Sequence, residues 1–364
     1  MKVVHCIGSF NFGGIERLVY DLAKLQLERD SLYIAISARN FKGEFKEDFE
    51  GLGIDLINFN LNSGFDLSPI KIKRIEKQFN NFDVIHLHGF NLTTSIAAIL
   101  SRKKIVYTEH GNFAFGRKIT WSDKLSFWLR KIFFKYTKTT ICSNSEFTRN
   151  YVIEKFYQGS RLCLVYNGIS LDYLINVSLQ QKLKEKYADK FVIGTSSRLA
   201  GFKRVDRLIS VFKEYLKINT DSVLLIVGDG IEREKLEKQV KDLKIEEQVD
   251  FVGYQKEVAT YQSVFDVCVF PSTSEPFGLV AVECYSKKKP VLVFGDGGGI
   301  TEVVQRFEEK DVCSDAKTMI DRLNYYAKNN FKWKSCHDNE LEFFSLKRME
   351  QDYYIQYNNK NEES

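Results

Sequence analysis

Short apolar runs alternate along the chain with longer segments whose apolar positions fall three and four residues apart, and this alternation predicts strands followed by amphipathic helices. Met1 to Ile7 predicts a buried strand, and Leu18, Val19, Leu22 and Leu25 predict the helix after it. The runs SLYIAISA, IDLINFN, FDVIHLHG and KIVYTEHG continue the series through the first half. Strands this apolar, separated by helices, belong to a parallel sheet covered on both faces, so the fold class is α/β. Near residues 168–190 the pattern weakens: Asn167 and Gly168 predict a turn, and LQQKLKEKYADK is charged and poor in apolar residues. A link between two domains is expected there. FVIGTSS opens a second series, carried on by SVLLIVGDG, VDFVGY, FDVCVFPS and KKPVLVFGDGGG. NELEFFSLKRMEQDYYIQYNN predicts a last amphipathic helix before a polar tail.

Ligands on such sheets gather at the carboxyl ends of the strands. His88 and His110 fall there, each just before a glycine. His86 shares a strand face with His88 and reads as a packed core residue, while His110 fits a structural or a functional role equally. Glu109 is a candidate to orient His110, although strand alternation sends neighbouring side chains apart. Gly13 and Gly14 precede the first helix, where backbone without a Cβ can approach a phosphate; a tight turn needing positive φ explains them equally well.

The stretch with the most chemistry is Pro271 to Glu283, PSTSEPFGLVAVE. It passes from loop to helix around Phe277 to Leu279, where unpartnered backbone N–H groups suit an anion. Glu275 precedes the helix and Glu283 lies eight residues on. Carboxylates so spaced cannot share a proton or clamp one metal, but they can hold two polyol groups with a diphosphate on the amides between them, the layout of a nucleotide sugar. Arg198 and Lys203, in the turn after FVIGTSS, can converge on that diphosphate, the arginine as a fork and the lysine as a point charge. The chain contains no Asp-x-Asp pair, so the expected site uses no metal. Gly297 to Gly299 form a loop in which backbone can approach a ligand. Tyr254 could face a base or simply pack.

Composition narrows the setting. At 364 residues, with 44% hydrophobic and 28% charged positions, the chain is globular and long enough for two domains. The formal charge of +5 suits an anionic substrate or surface without demanding nucleic acid. Seven scattered cysteines suggest neither a disulfide framework nor a zinc site. No signal peptide or membrane span is read, so a cytoplasmic location is expected. One helix stands apart: from Arg117 to Lys138, Lys124, Lys131 and Lys135 fall with Arg117 and Lys138 on one stripe. Trp121, Leu125, Trp128, Leu129, Ile132 and Phe133 form the expected core arc, leaving Phe127 and Phe134 beside the lysines. Exposed aromatics among lysines suit an anionic bilayer, so residues 117–138 are a candidate membrane contact on the inner face of the cell membrane; a core helix with a solvated basic side is the alternative.

In order along the chain, GGIERLVYDLA, HLHG, EHG, SNS, VYNGIS, SSRLAGFKRVDRLI, LLIVGDGIEREKL, VDFVGY and FPSTSEPFGLVAVE resemble the retaining glycosyltransferases of family 4. The resemblance implies the GT-B fold: two facing Rossmann-like domains with a cleft between them, residues 1–168 for the acceptor and 190–340 for the donor, with a helix at 341–357 crossing back to the first. It implies transfer of a hexosyl or N-acetylhexosaminyl group, with retention, from a nucleotide sugar to a saccharide or polyprenyl-diphosphate-linked acceptor. A bacterial surface polysaccharide such as O-antigen, capsule or lipopolysaccharide is the implied product. The donor is expected to be a UDP-sugar before a GDP-sugar, with no further cofactor. Arg198 and Lys203 would hold the diphosphate, Glu283 the ribose, and Glu275 the sugar. Backbone at Phe277, Gly278 and Leu279, with Gly14, Gly228 and Tyr254, would complete the donor site, and His110 would stand across the cleft near the acceptor. Cys284, Tyr285 and Lys289 depart from the family pattern at positions expected to affect packing only. A nucleotide-sugar epimerase of the same fold and a non-catalytic nucleotide-sugar-binding subunit are the alternatives.

Overall fold

A computed structural model of the chain describes residues 1–11, 13–63, 65–111, 120–171, 174–329 and 331–359. It forms two compact units, residues 1–169 with 345–364 and residues 170–344. The first contains β1 (Lys2–Ile7), α1 (Gly14–Gln26), β2 (Tyr33–Ala38), α2 (Lys46–Gly51), β3 (Asp55–Asn58), α3 (Pro69–Phe79) and β4 (Val84–His88). It continues with α4 (Leu92–Ser101), β5 (Lys104–Glu109), α5 (Trp121–Tyr136), β6 (Thr140–Ser143), α6 (Glu146–Lys155) and β7 (Leu162–Leu164). The second holds α7 (Val177–Lys186), β8 (Phe191–Ser196), α8 (Val205–Tyr215), β9 (Ser222–Val227), α9 (Arg233–Asp242), β10 (Val249–Gly253) and α10 (Val258–Gln262). After these come β11 (Val267–Phe270), α11 (Leu279–Ser286), β12 (Val291–Phe294), α12 (Gly299–Phe307), β13 (Val312–Cys313), α13 (Ala316–Lys328) and α14 (Ser335–Phe343), and α15 (Leu346–Asn358) returns to the first unit.

Both sheets are parallel throughout, with strand orders β3-β2-β1-β4-β5-β6-β7 and β10-β9-β8-β11-β12-β13. Each order reverses once, between β1 and β4 in the first sheet and between β8 and β11 in the second. The loops leaving those strands diverge to opposite faces and open a crevice at the carboxyl end of each sheet. The central strands are buried on both faces, as their near-continuous apolar runs require, while the edge strands β3, β7 and β10 are only partly covered.

Two boundaries differ from the sequence reading. The charged segment taken for a link is the helix α7 of the second unit; Asn176 caps it by accepting from Leu179 N–H, and Leu183 is buried. One well-placed leucine and a cap are enough to hold a helix too polar to show a clear period. The single last helix is two, because Ser345 accepts from Arg348 N–H and starts α15 afresh. Helix α15 packs against α1 and β5, where Arg29 forms a bidentate pair with Glu350 at 2.8 and 2.6 Å.

Helix α5 is turned in part relative to expectation: Phe133 of the expected core arc is buried, but the arc is shifted. Phe134 is fully buried and Phe127 packs on Phe156, whereas Trp121 and Trp128 are 77% and 59% exposed. The cause is Arg130, buried against Glu109 with Nη1 2.6 Å from the carboxylate. Glu109 also accepts from Tyr107 Oη at 2.9 Å. Drawing Arg130 inward brings Phe127 and Phe134, one turn on either side, to the core. Arg117 lies outside the described residues.

Candidate active site

In the second unit the site is assembled by the loops after β8 and β11, on either side of the strand-order reversal. The β8 loop carries Arg198 and ends in a single tight turn at Gly201–Lys203. Arg204 follows in the left-handed region, φ 51°, and starts α8. The two loops are joined where Thr273 N–H donates to Phe202 O at 2.9 Å. Lys203 Nζ donates to Glu275 Oε2 at 2.6 Å, with each side chain only 14% exposed. Arg198 is exposed and its side chain makes no hydrogen bond or ion pair among the described residues, so its guanidinium fork is open to a ligand.

Glu275 is fixed through its backbone. Its N–H donates to Gly297 O and its carbonyl accepts from Gly299 N–H, both at 2.7 Å. A Cβ on Gly298 would come 2.8 Å from Glu275 O, and its φ of 77° also favours glycine. The triple-glycine loop read from sequence as approaching a ligand thus approaches Glu275 itself. Gly278, φ 93°, starts α11, and no side chain caps that helix. Its first amides are left for solvent or an anion. Phe277 is buried and meets the Phe344 ring edge-on at 5.8 Å, so only its backbone faces the helix start. Glu283, one turn into α11, accepts from Gln262 Nε2 at 3.3 Å, and the same nitrogen donates to Ser196 Oγ at 3.0 Å. Gln262 therefore ties Glu283 to the end of β8, a link with no signature in the sequence.

The remaining donor candidates separate. Gly228 is required by the fold in any case, since a Cβ there would stand 1.9 Å from Ser197 O and φ is 133°. Tyr254, just past β10, is 62% exposed and does not serve as packing. Cys284 and Tyr285 are fully buried, Tyr285 stacked on Phe307 at 3.8 Å.

In the first unit neither Gly13 nor Gly14 needs positive φ: Gly13 is extended at −153° and Gly14 is absent from the left-handed region. A Cβ on Gly14 would meet nothing within 4 Å. The tight-turn explanation is thereby removed, and the space in front of α1 remains. His110 is buried just past β5, but Glu109 does not orient it. Glu109 faces Arg130, and His110 Nε2 instead lies 3.0 Å from His88 Nδ1. His88 Nε2 is 3.0 Å from His5 Nδ1, and His5 Nε2 is 2.8 Å from Gln26 Oε1. His86 is held apart from this row by Tyr357 Oη on Nδ1 and Thr108 Oγ1 on Nε2, at 2.8 and 2.7 Å. Burial lowers the pKa of His5 and of His110 to about 4, and holds His86 and His88 well below the usual imidazole range. His5, His86 and His88 offer ring nitrogens within 4.8 Å of one another, the arrangement of a metal site. Every one of those nitrogens already has a hydrogen-bond partner, which makes the group a polar network rather than an open ligand set.

Two family models account for most of the chain: "Glycosyltransferase Family 4" matches residues 12–173 and "Glycosyl transferases group 1" residues 178–340. The chain belongs to glycosyltransferase family 4. Among relatives of this family-4 member, N-acetyl-alpha-D-glucosaminyl L-malate synthase of Bacillus anthracis is 28% identical over 281 residues, 72% of this chain and 70% of that one. The UDP-Gal:alpha-D-GlcNAc-diphosphoundecaprenol alpha-1,3-galactosyltransferase of Escherichia coli is 26% identical over 308 residues, 79% of this chain and 78% of its own. HepE of Anabaena, solved in complex with UDP, superposes with a TM-score of 0.81 at 21% identity, covering 98% of this chain and 99% of that one. The family-4 chain has the GT-B fold that such neighbours share.

Proposed function

We propose that the protein transfers a hexosyl or N-acetylhexosaminyl group from a UDP-sugar to a hydroxyl of a saccharide, carried on a polyprenyl diphosphate, with the anomeric configuration kept. The observation that carries this reading is the convergence of Arg198, Lys203, Glu275 and the uncapped start of α11 on the two loops flanking one strand-order reversal. As the bond from sugar to phosphate breaks, negative charge develops on the leaving diphosphate. Cations and amides already aimed at it stabilise the transition state more than the ground state. Arg198 and Lys203 meet the diphosphate, Glu283 the ribose, and Glu275 the sugar hydroxyls. Tyr254 lies toward the base, and His110 aligns the attacking hydroxyl. Attack from the face the diphosphate leaves needs no covalent intermediate.

The donor base is supported by HepE, solved with UDP, and by the relative named for UDP-Gal. That relative's acceptor is lipid-linked, which joins with the exposed face of α5 to favour an acceptor held at a membrane surface and a surface polysaccharide as product. Trp121, Lys124, Trp128, Lys131 and Lys135 share that exposed face at spacings of three and four residues. No helix among the described residues is long and apolar enough to cross a membrane. The test is acceptor-dependent release of UDP by the purified protein. Nucleotide found in a UDP-soaked crystal away from Arg198 and Lys203 would overturn the assignment.

A further inference from the structure

Four of the chain's five histidines lie in one buried cluster of the first unit, and three of them form a single file. The His5 and His88 rings stack with centroids 5.2 Å apart and 29° between planes, and His88 and His110 at 5.3 Å and 20°. A neutral imidazole has one N–H and one lone pair, so a file of them must choose a direction. The choice is made at its inner end. Gln26 Oε1 can only accept, so the hydrogen sits on His5 Nε2 and His5 Nδ1 is a lone pair. His88 must then donate from Nε2 to His5 Nδ1, leaving its own Nδ1 as acceptor. His110 must donate from Nε2 to that atom. The remaining nitrogen, His110 Nδ1, carries a lone pair and has no partner among the described residues.

We propose that Gln26, His5 and His88 act as positioning residues: a one-way hydrogen-bond relay that holds His110 as a neutral acceptor with Nδ1 offered to a bound hydroxyl. This rests on the reading of His110 as an active-site residue. His110 then aligns the acceptor hydroxyl by receiving its hydrogen bond, and the relay keeps the ring from offering N–H to an oxygen that must stay nucleophilic. The same helix that begins at Gly14 ends at Gln26, so α1 carries both the open backbone at its start and the residue that sets the polarity. His86 is excluded from the file because Tyr357 and Thr108 occupy its two nitrogens.

The experiment is long-range ¹⁵N–¹H correlation on the full chain labelled at histidine, which gives five ring systems, with His337 of the second unit as internal control for folding. The expected result is Nε2–H tautomers for His5, His88 and His110. Gln26→Leu removes the terminal acceptor and should change the tautomer balance of His110 as well as His5. It should lower kcat about tenfold, with KM for the donor unchanged. Gln26→Glu keeps an acceptor and should recover most of that turnover. A purely structural role predicts the opposite order, because a buried carboxylate is worse tolerated than a leucine. The relay is overturned by an Nδ1–H tautomer at His110 in the wild type, by Gln26→Leu moving His5 alone, or by Gln26→Glu being no better than Gln26→Leu. Wild-type acceptor-dependent turnover in His110→Ala overturns the active-site reading instead, while the tautomer measurement still decides the relay.

Discussion

The Lys203 ammonium and the Glu275 carboxylate are 2.6 Å apart, and each is largely shielded from water. The pair can cradle a sugar diphosphate from two sides, the lysine turning to the phosphate while the glutamate meets sugar hydroxyls. Arg198 differs because nothing in the unit holds it. Arg198→Ala should therefore lower kcat by at least about 100-fold, the usual loss of one preorganised charge-stabilising donor. Its unfolding free energy should move by no more than about 0.5 kcal/mol, as for an unpartnered surface residue. Nucleotide release assays and urea titration of the same preparation check both halves. Turnover within a few-fold of wild type would remove Arg198 from the site.

Arg130 and Glu109 invite the opposite experiment, since both are buried and neither is placed at the chemistry. Arg130→Met should destabilise the protein by about 3–5 kcal/mol, chiefly because Glu109 is left charged and unpaired. Adding Glu109→Gln should return much of that loss. A double-mutant cycle in urea measures the coupling, and a value near zero would mean the pair is not what turns α5.

That pair also marks the limit of what the sequence discloses. The parallel sheets were legible because buried strands are apolar at nearly every position, and the loops of the candidate site because glycines, Arg198, Lys203, Glu275 and Glu283 fall after predicted strands. The facing of α5 was legible only at Phe133. A helical arginine ordinarily reads as solvated, and nothing local announces that Glu109, on a strand, will be its partner. The histidine file was hidden for a related reason. His5 and His88 meet only through the pairing of β1 with β4, and register between strands far apart in the chain is a tertiary fact. The available signal was the recurrence of a histidine in two strands otherwise apolar, which is a poor place for a polar group without partners.

Acid should loosen the first unit. His5 and His110 are held neutral, with pKa about 4 against 6.5 unfolded, so below 6.5 the unfolded chain takes up protons that the folded chain refuses. The stability tied to their neutral form is complete above pH 6.5 and drains as pH falls toward 4, by up to about 1.4 kcal/mol per pH unit for each histidine. His86 and His88 act in the same direction. Asp311 in the second unit works the other way: burial raises its pKa to about 6, so the folded form gains protons first and is favoured as pH falls from there. Urea unfolding followed by exchange of histidine-strand amides should show the first unit losing midpoint between about pH 7 and about pH 5. A flat profile would mean these imidazoles are solvated or charged.

The corrected face of α5 changes which residues a membrane test must touch. Trp121 and Trp128 stand out from the surface with Lys124, Lys131 and Lys135 between and beyond them, so both the aromatic and the cationic elements of an interfacial helix lie on one side. Lysines near an anionic surface contribute about 1 kcal/mol each, and tryptophan rings settle at the headgroup level. Flotation with vesicles containing phosphatidylglycerol should recover the wild-type protein, and recovery should fall as salt rises. Trp121→Ser with Trp128→Ser should abolish recovery while leaving the urea midpoint in place. Phe134→Ser should instead unfold the protein, because that ring is fully buried. Equal flotation of the tryptophan variant and the wild type would show that this face does not meet the bilayer.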